Sequence, residues 1–266
     1  MNRLQLLGKE VTSSPSSSIQ TELARLSSGT LSSGTLSNGT QRGVPHSLFA
    51  PMHYEPNYAY PLLIWLHGSG DDERQLQRIM PLVSMRNYVA VGPRGNAEGA
   101  ERCAGFSWNH SPASLATAEQ HVFDSLEAAS NRFHIASHRV FLSGFEDGGT
   151  TAMRIALRYP DQFAGALTIG GGFPADRTPL SRLNDARRVP LFIAQGRDSQ
   201  IYPVERLCND LRLFHTAGMS VTVRHYPCGD DLTSQMLHDM DVWMMEIVTG
   251  IPSGPQHPPV TPSESN

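Results

Sequence analysis

The chain has 266 residues and a formal net charge of −4, with 21 basic and 25 acidic residues. This balance gives no basic excess of the kind that binds nucleic acid, so we expect no nucleic-acid partner. The three cysteines are too few and too scattered for a disulfide framework or a zinc site. No apolar run reaches the length of a membrane span, and residues 1–10 lack the apolar stretch of a signal peptide. We therefore expect a cytoplasmic protein.

Both ends of the chain differ in composition from its middle. Residues 12–40 are dominated by Ser, Thr and Gly, and the last residues are rich in proline. Such segments bury too little apolar surface to offset the entropy lost on ordering. We therefore predict disordered tails at 1–44 and 251–266 around one folded domain at 45–250. The tails act as linkers or, alternatively, as interaction segments.

Between the tails, short apolar runs alternate with segments of helical spacing. We predict strands at 47–50, 62–66, 88–91, 139–143, 163–169, 190–194 and 221–226. We predict helices at 72–83, 114–133, 203–216 and 233–248, and a further helix that ends near 158. Unbroken apolar strands separated by helices are typical of a parallel sheet covered on both faces. Right-handed crossovers then make the fold class α/β, with a doubly wound, mostly parallel sheet.

The segment from Arg139 to Thr151 is the one around which this predicted fold is organised. An apolar strand ends at Gly144, and Gly148 follows just before a helix-forming segment. This is the frame of a nucleophile elbow, the tight strand-to-helix turn written Gly-x-Ser-x-Gly. Glycines are required there because a side chain next to the central residue would collide with neighbouring backbone. The central serine of the motif is replaced by Glu146.

Five further motifs stand at the ends of the predicted strands. They are Leu66-His67-Gly68-Ser69-Gly70, Gly92-Pro93-Arg94-Gly95, Phe106-Ser107-Trp108, Gln195-Gly196-Arg197-Asp198-Ser199-Gln200-Ile201-Tyr202-Pro203 and Tyr226-Pro227-Cys228-Gly229. Together with the elbow, and in this order, they resemble the phospholipase/carboxylesterase branch of the α/β-hydrolase fold, the group that includes acyl-protein thioesterases. The resemblance covers residues 45–250 and implies an α/β-hydrolase fold without a large lid.

The resemblance also implies a Ser–Asp–His catalytic triad, and all three positions differ in this chain. The elbow serine corresponds to Glu146, the triad aspartate to Ser199 and the triad histidine to Asp231. Asp198 lies one residue before the aspartate position and could take its role after a local shift. Acyl transfer by a hydroxyl needs a base within hydrogen-bond reach and a group that orients this base. We therefore expect no hydrolysis by a triad mechanism.

Two later histidines do not replace the missing base. His238 lies seven residues beyond Asp231 in a predicted helix, which displaces it by roughly 10 Å. His225 lies inside a predicted strand rather than in the loop. Glu146 could itself attack, as the elbow aspartate does in epoxide hydrolases and haloalkane dehalogenases of this fold, but those enzymes also need a histidine.

Three hypotheses about function stay open at this stage. The first is a pseudoenzyme, a non-catalytic pseudo-hydrolase that binds a small or acyl ligand or a protein partner. The second is a carboxylic-ester or thioester hydrolase with an unorthodox carboxylate or metal-assisted site. The third is an interaction module whose pocket has no occupant. No cofactor is predicted in any of them.

The resemblance further implies an oxyanion site. Its donors would be the backbone N–H groups of Ser69 and Asp147. We interpret His67 as a residue that stabilises the turn rather than as a base. Trp108 could line an acyl-binding site, or it could simply pack between a loop and the core.

Acidic residues are predicted to converge at the former active site. They are Glu146 and Asp231, together with Asp230 and Asp198. Two carboxylates in a half-buried cleft repel each other. Either one of them therefore retains its proton at a pH above the ordinary carboxyl pKa, or a cation lies between them. Glu146 and Asp231 are accordingly candidate ligands of a divalent metal ion, although we favour hydrogen bonds to loop amides. Cys228 beside these anions is predicted to have a raised pKa.

Overall fold

The computed structural model of the chain describes residues 44–97, 105–174 and 182–251, together with two two-residue strands nearer the N-terminus. Apart from these two strands and the single residues at 44 and 251, the predicted tails lie outside the described residues.

The described strands and helices alternate along the chain, as the sequence pattern predicted. The strands are β1 (Gln5–Leu6), β2 (Thr35–Leu36), β3 (His46–Phe49), β4 (Tyr60–Leu66), β5 (Val89–Pro93), β6 (Asn96–Ala97), β7 (Phe106–Ser107), β8 (Ile135–Phe145), β9 (Gly165–Ile169), β10 (Leu191–Gly196) and β11 (Val221–Tyr226). The helices are α1 (Gln75–Val83), α2 (Pro112–Arg132), α3 (Asp147–Arg158), α4 (Leu183–Ala186), α5 (Val204–Ala217) and α6 (Ser234–Thr249).

A nine-stranded sheet with the order β1-β11-β10-β9-β8-β4-β5-β3-β2 forms the centre of the fold. The strands from β1 to β5 in this order pair in parallel, whereas β3 and β2 are antiparallel to their neighbours. The predicted α/β class with a mostly parallel, doubly wound sheet is therefore confirmed. A separate two-stranded pair, β6 with β7, lies in the segment after β5.

The sheet is buried on both faces, because alternate residues of each central strand enter different halves of the core. In β4, Leu62, Ile64 and Leu66 pack with apolar residues of α2, α3 and α5. Leu63 and Trp65 point the other way and pack with residues of α1 and α6. This two-sided burial explains why the strands are unbroken apolar runs in the sequence.

Helix α1 starts three residues later than the sequence pattern predicted. The segment before it forms a turn in which the Asp72 carboxylate accepts a hydrogen bond from the Arg74 N–H, at 2.8 Å. An aspartate that bonds to backbone two residues ahead favours such a turn over helix. Gln75 is consequently the first helical residue.

Candidate functional site at the nucleophile elbow

The turn between β8 and α3 has the geometry of a nucleophile elbow. Glu146 lies at its apex with φ 50° and ψ −119°, a strained conformation for a residue with a side chain. A Cβ atom at Gly148 would overlap the carbonyl oxygens of Leu66 and His67, and a Cβ atom at Gly144 would overlap the backbone of Gly148. The two glycines are therefore required by close backbone packing, and the predicted motif is present in full apart from its serine.

The carboxyl group of Glu146 turns back towards the end of β4. Its Oε2 atom lies 3.4 Å from the position that a Cβ atom would take at Gly68. Burial raises the pKa of this carboxyl above its ordinary value, the nearby charges of Asp147 and Asp230 raise it further, and the backbone N–H of Ser69 opposes them. The carboxyl thus faces one of the two predicted oxyanion donors.

A side-chain hydrogen bond joins the two loops that carry the predicted oxyanion donors. The Ser69 hydroxyl donates to Asp147 Oδ2 at 2.8 Å, and His110 Nε2 lies 3.7 Å from Asp147 Oδ1. The His110 imidazole, the Ser69 hydroxyl and the charge of Arg206 hold the pKa of Asp147 below its ordinary value. An ionised Asp147 therefore holds the Ser69 turn against the start of α3.

His67 stabilises the turn that follows β4. Its Nε2 accepts a hydrogen bond from the Gly95 N–H at 2.9 Å, so its proton resides on Nδ1, which donates to the Gly68 carbonyl at 2.8 Å. The ring is fully buried, and burial lowers its pKa. Both nitrogens of a neutral imidazole are thus used by backbone, which confirms the interpretation of His67 as a structural residue.

Trp108 packs directly behind this turn. Its side chain is buried in the core, its ring centroid lies 5.2 Å from that of His67, and its indole N–H donates to the His67 carbonyl at 2.9 Å. The side chain therefore helps to hold the turn in place. A direct contact between Trp108 and a ligand stays a prediction.

Gln75 is a positioning residue that the sequence reasoning missed. Its Oε1 accepts from the Trp65 indole N–H at 2.7 Å and from the Gly68 N–H at 3.2 Å, while its Nε2 donates to Asp71 Oδ2 at 3.0 Å. These bonds fix the backbone immediately before Ser69. A polar residue on the apolar face of α1, seven residues after the His-Gly turn, was the available signal.

Ser199, at the position that the sequence resemblance assigns to the triad aspartate, bonds to Asp230. The buried Ser199 hydroxyl donates to Asp230 Oδ1 and accepts from the Tyr202 N–H at 2.9 Å. Asp230 also accepts from the N–H groups of Gln200 and Ile201, at 3.0 and 3.2 Å. Burial alone would raise the pKa of Asp230, but these hydrogen bonds lower it below the ordinary value. We call this set of bonds the Asp230 clamp, because it joins the loops after β10 and β11.

The structure does not place Asp198 or Asp231 in the roles considered for them. Asp198 is exposed, and its backbone N–H bonds to the Cys228 carbonyl at 3.0 Å, so the local shift towards the Ser199 position has not occurred. Asp231 is also exposed. The charges that raise the pKa of Glu146 come from Asp147 and Asp230, so the predicted convergence of acidic groups involves Asp230 rather than Asp231.

This geometry can be compared with known proteins. The profile of the Phospholipase/Carboxylesterase family matches residues 55–248. The chain belongs to this family. Among its curated relatives is "Probable carboxylesterase SOBER1-like" of Arabidopsis thaliana, which is 22% identical over 210 residues covering 71% of this chain and 79% of the relative.

Solved structures of other proteins show the same fold. The carboxylesterase from Mesorhizobium loti superposes with a TM-score of 0.65 at 19% identity, covering 79% of this chain and 98% of that one. Acyl-protein thioesterase 2 from Zea mays gives a TM-score of 0.58 at 18% identity, covering 76% and 98%. The resemblance stated from the sequence motifs, and with it the α/β-hydrolase fold, is therefore confirmed.

The two later histidines remain outside the elbow of this family member. His225 is exposed on β11, and His238 is exposed on α6. The groups that shift the pKa of Glu146 are its own burial, the Ser69 amide and two aspartates, with no imidazole among them. Among the described residues, neither His225 nor His238 therefore takes the role of the family's catalytic base, whereas His110 does lie near the elbow, with Nε2 3.7 Å from Asp147 Oδ1.

Cys228 and the candidate metal ligands complete the site. Burial raises the pKa of the Cys228 thiol to about 11, and the charges of Asp231, Asp198 and Asp230 contribute, as predicted. Within 44–97, 105–174 and 182–251, no three His, Cys, Asp or Glu side chains gather closely enough to hold a metal ion. Glu146 and Asp231 therefore gain no third ligand from these residues.

The same residues contain no helix long and apolar enough to span a membrane.

Proposed function

We propose that this member of the phospholipase/carboxylesterase family is a non-catalytic pseudo-hydrolase that binds a small ligand or a protein partner. The observation that carries the proposal is the Glu146 carboxyl at the apex of the elbow, turned towards the Ser69 amide. A carboxyl group there removes the hydroxyl nucleophile and faces a donor that would stabilise the oxyanion of the reaction.

The other triad positions support the same proposal. Hydrolysis by a serine requires an imidazole that accepts the hydroxyl proton and a carboxylate that orients this imidazole. Here the two corresponding loops bond directly to each other through Ser199 and Asp230. Loss of a whole triad costs about 10⁶ in rate, and the remaining catalysis depends on a free oxyanion site.

Nucleophilic attack by Glu146 itself is the alternative, and two features of the site disfavour it. Attack would leave an ester on Glu146 that a water molecule must hydrolyse with the help of a base. Asp230, one nearby candidate, accepts three hydrogen bonds that lower its pKa, which makes it a weak base. His110, the other, lies against the Asp147 carboxylate, with Nε2 3.7 Å from Oδ1. Burial also raises the pKa of Glu146, so a smaller fraction of this carboxyl is in the ionised, nucleophilic form at any given pH.

A fluorophosphonate probe and p-nitrophenyl butyrate test the proposal on the full-length protein. We expect no labelled serine, and an ester turnover equal in the wild type and in Glu146→Gln. Labelling of any serine, or turnover that Glu146→Gln abolishes, would show that the protein is a hydrolase. Ser69→Ala is the matched control. It removes the exposed hydroxyl that bonds to the Asp147 carboxylate beside the elbow, and it leaves Glu146 unchanged.

We also propose that the protein is cytoplasmic and that its two tails are disordered apart from the strands β1 and β2, which pair with β11 and β3. Cell fractionation of the tagged chain checks the first point, and sharp, unshifted amide proton signals from the residues of 1–44 and 251–266 outside these two strands check the second. Recovery of the protein in a membrane pellet, or dispersed amide signals from the tails, would contradict these two points.

A further inference from the structure

Two backbone N–H groups of the site can donate hydrogen bonds to an oxygen atom of a ligand. The Ser69 N–H follows the turn after β4, and the Asp147 N–H is the first of α3. The first amides of a helix have no acceptor within the helix and attract anionic or polar oxygens. The 2.8 Å bond from the Ser69 hydroxyl to Asp147 Oδ2 keeps these two segments together.

The protein's own carboxyl group lies beside the first of these two amides. Glu146 Oε2 is 3.4 Å from the Cβ position of Gly68, and the Ser69 N–H acts on this carboxyl. The backbone of Glu146 is fixed by the glycine packing of the elbow, so the side chain starts from a constrained point. The residue is partly buried rather than exposed.

We infer that Glu146 is an internal ligand of the oxyanion site: its carboxyl occupies the place where the oxygen of an acyl or carboxylate ligand would accept the Ser69 N–H. Such a ligand binds at these amides only when the Glu146 side chain is displaced or removed. This inference rests on the proposed function, because it specifies how a pseudo-hydrolase would admit an acyl or carboxylate ligand at the elbow, namely by displacement of the Glu146 side chain.

Occupancy and charge repulsion would both exclude an anionic ligand, and suitable variants separate them. Glu146→Gln removes the charge but keeps an oxygen that can accept the Ser69 N–H. Glu146→Ala removes both the charge and the oxygen. Asp230→Asn removes a neighbouring charge and leaves the site occupied. If occupancy is the cause, only the alanine variant gains affinity.

The experiment is a titration of ¹⁵N-labelled full-length protein with sodium butyrate at pH 7, followed by the amide signals of Ser69 and Asp147. We expect butyrate to shift these signals in Glu146→Ala with an affinity at least tenfold higher than in the wild type, Glu146→Gln and Asp230→Asn. Should alanine disturb the strained turn, Glu146→Gly is the second variant, because glycine adopts positive φ without strain.

Two results would overturn the inference. Equal gains in Glu146→Gln and Glu146→Ala would mean that charge alone excludes the ligand, and no shift at Ser69 in either the alanine or the glycine variant would mean that the amides are not a binding site. Neither result bears on hydrolysis, which the fluorophosphonate and ester assays measure separately. Failure of the inference and failure of the proposed function are therefore distinguishable.

Discussion

The Asp230 clamp gives a stability prediction whose size follows from its hydrogen bonds. Asp230 accepts one bond from the buried Ser199 hydroxyl and two from the exposed amides of Gln200 and Ile201. A hydrogen bond contributes about 1 kcal/mol net, and the two exposed ones contribute less, because water replaces the lost acceptor. The buried hydroxyl without an acceptor adds about 1 kcal/mol more, so Asp230→Ala should lower the free energy of unfolding by about 2–3 kcal/mol.

Urea unfolding followed by tryptophan fluorescence measures this free energy. Two neighbouring aspartates supply matched controls: Asp198→Ala and Asp231→Ala remove exposed carboxylates and should stay within about 0.5 kcal/mol of the wild type. Combining Asp230→Ala with Ser199→Ala completes a double-mutant cycle, for which we expect a coupling of about 1 kcal/mol.

Two outcomes would refute the reasoning about the clamp. One is an Asp230→Ala variant that is as stable as the controls. The other is a coupling energy near zero between positions 199 and 230, which would show that the loops after β10 and β11 are held together by other contacts.

Three further predictions follow from the charged and titratable groups near the site. Glu146→Gln should stabilise the protein at pH 7 and have little effect below the ordinary glutamate pKa, because a raised pKa costs stability as the pH rises through it; equal effects at both pH values in urea unfolding would contradict this. Arg94→Ala leaves the buried Glu73 carboxylate without its guanidinium and should cost about 3 kcal/mol, part of which Glu73→Gln restores in the double variant; full stability of the single variant would be the contrary result. With a pKa of about 11, Cys228 should react with iodoacetamide at pH 8 about a hundredfold more slowly in the folded than in the unfolded protein, and equal rates would show that the thiol is not protected.

The sequence predicted the core of the fold because burial leaves a direct mark on residue type. Residues 62–66 are all apolar because this strand is buried on both faces, and the sequence pattern there therefore indicates a buried strand. The short elements β1, β2, β6, β7 and α4 were missed, because two to four residues show no periodicity. The start of α1 was placed too early since the Asp72 turn competes with helix locally.

In the site, the sequence identified the elbow turn but not the directions of the acidic side chains. The elbow was recognisable because its glycines are demanded by backbone contacts. Asp230 and Asp231 are chemically identical neighbours, so residue type could not tell which of them turns inward. That choice is made by the loop backbone, which aims Asp230 at Ser199 and leaves Asp231 exposed.

The strained backbone at Glu146 has a consequence for how this family can change. Its shape is imposed by Gly144 and Gly148 against the end of β4, and therefore by the interior of the protein rather than by the residue at the apex. A chain that exchanges the apex residue keeps the elbow intact, so chemistry can be lost there without loss of the architecture. A gain of chemistry is possible in the same way. The turn stays formed whichever residue lies at its apex, so a single substitution there could introduce a new reactive side chain.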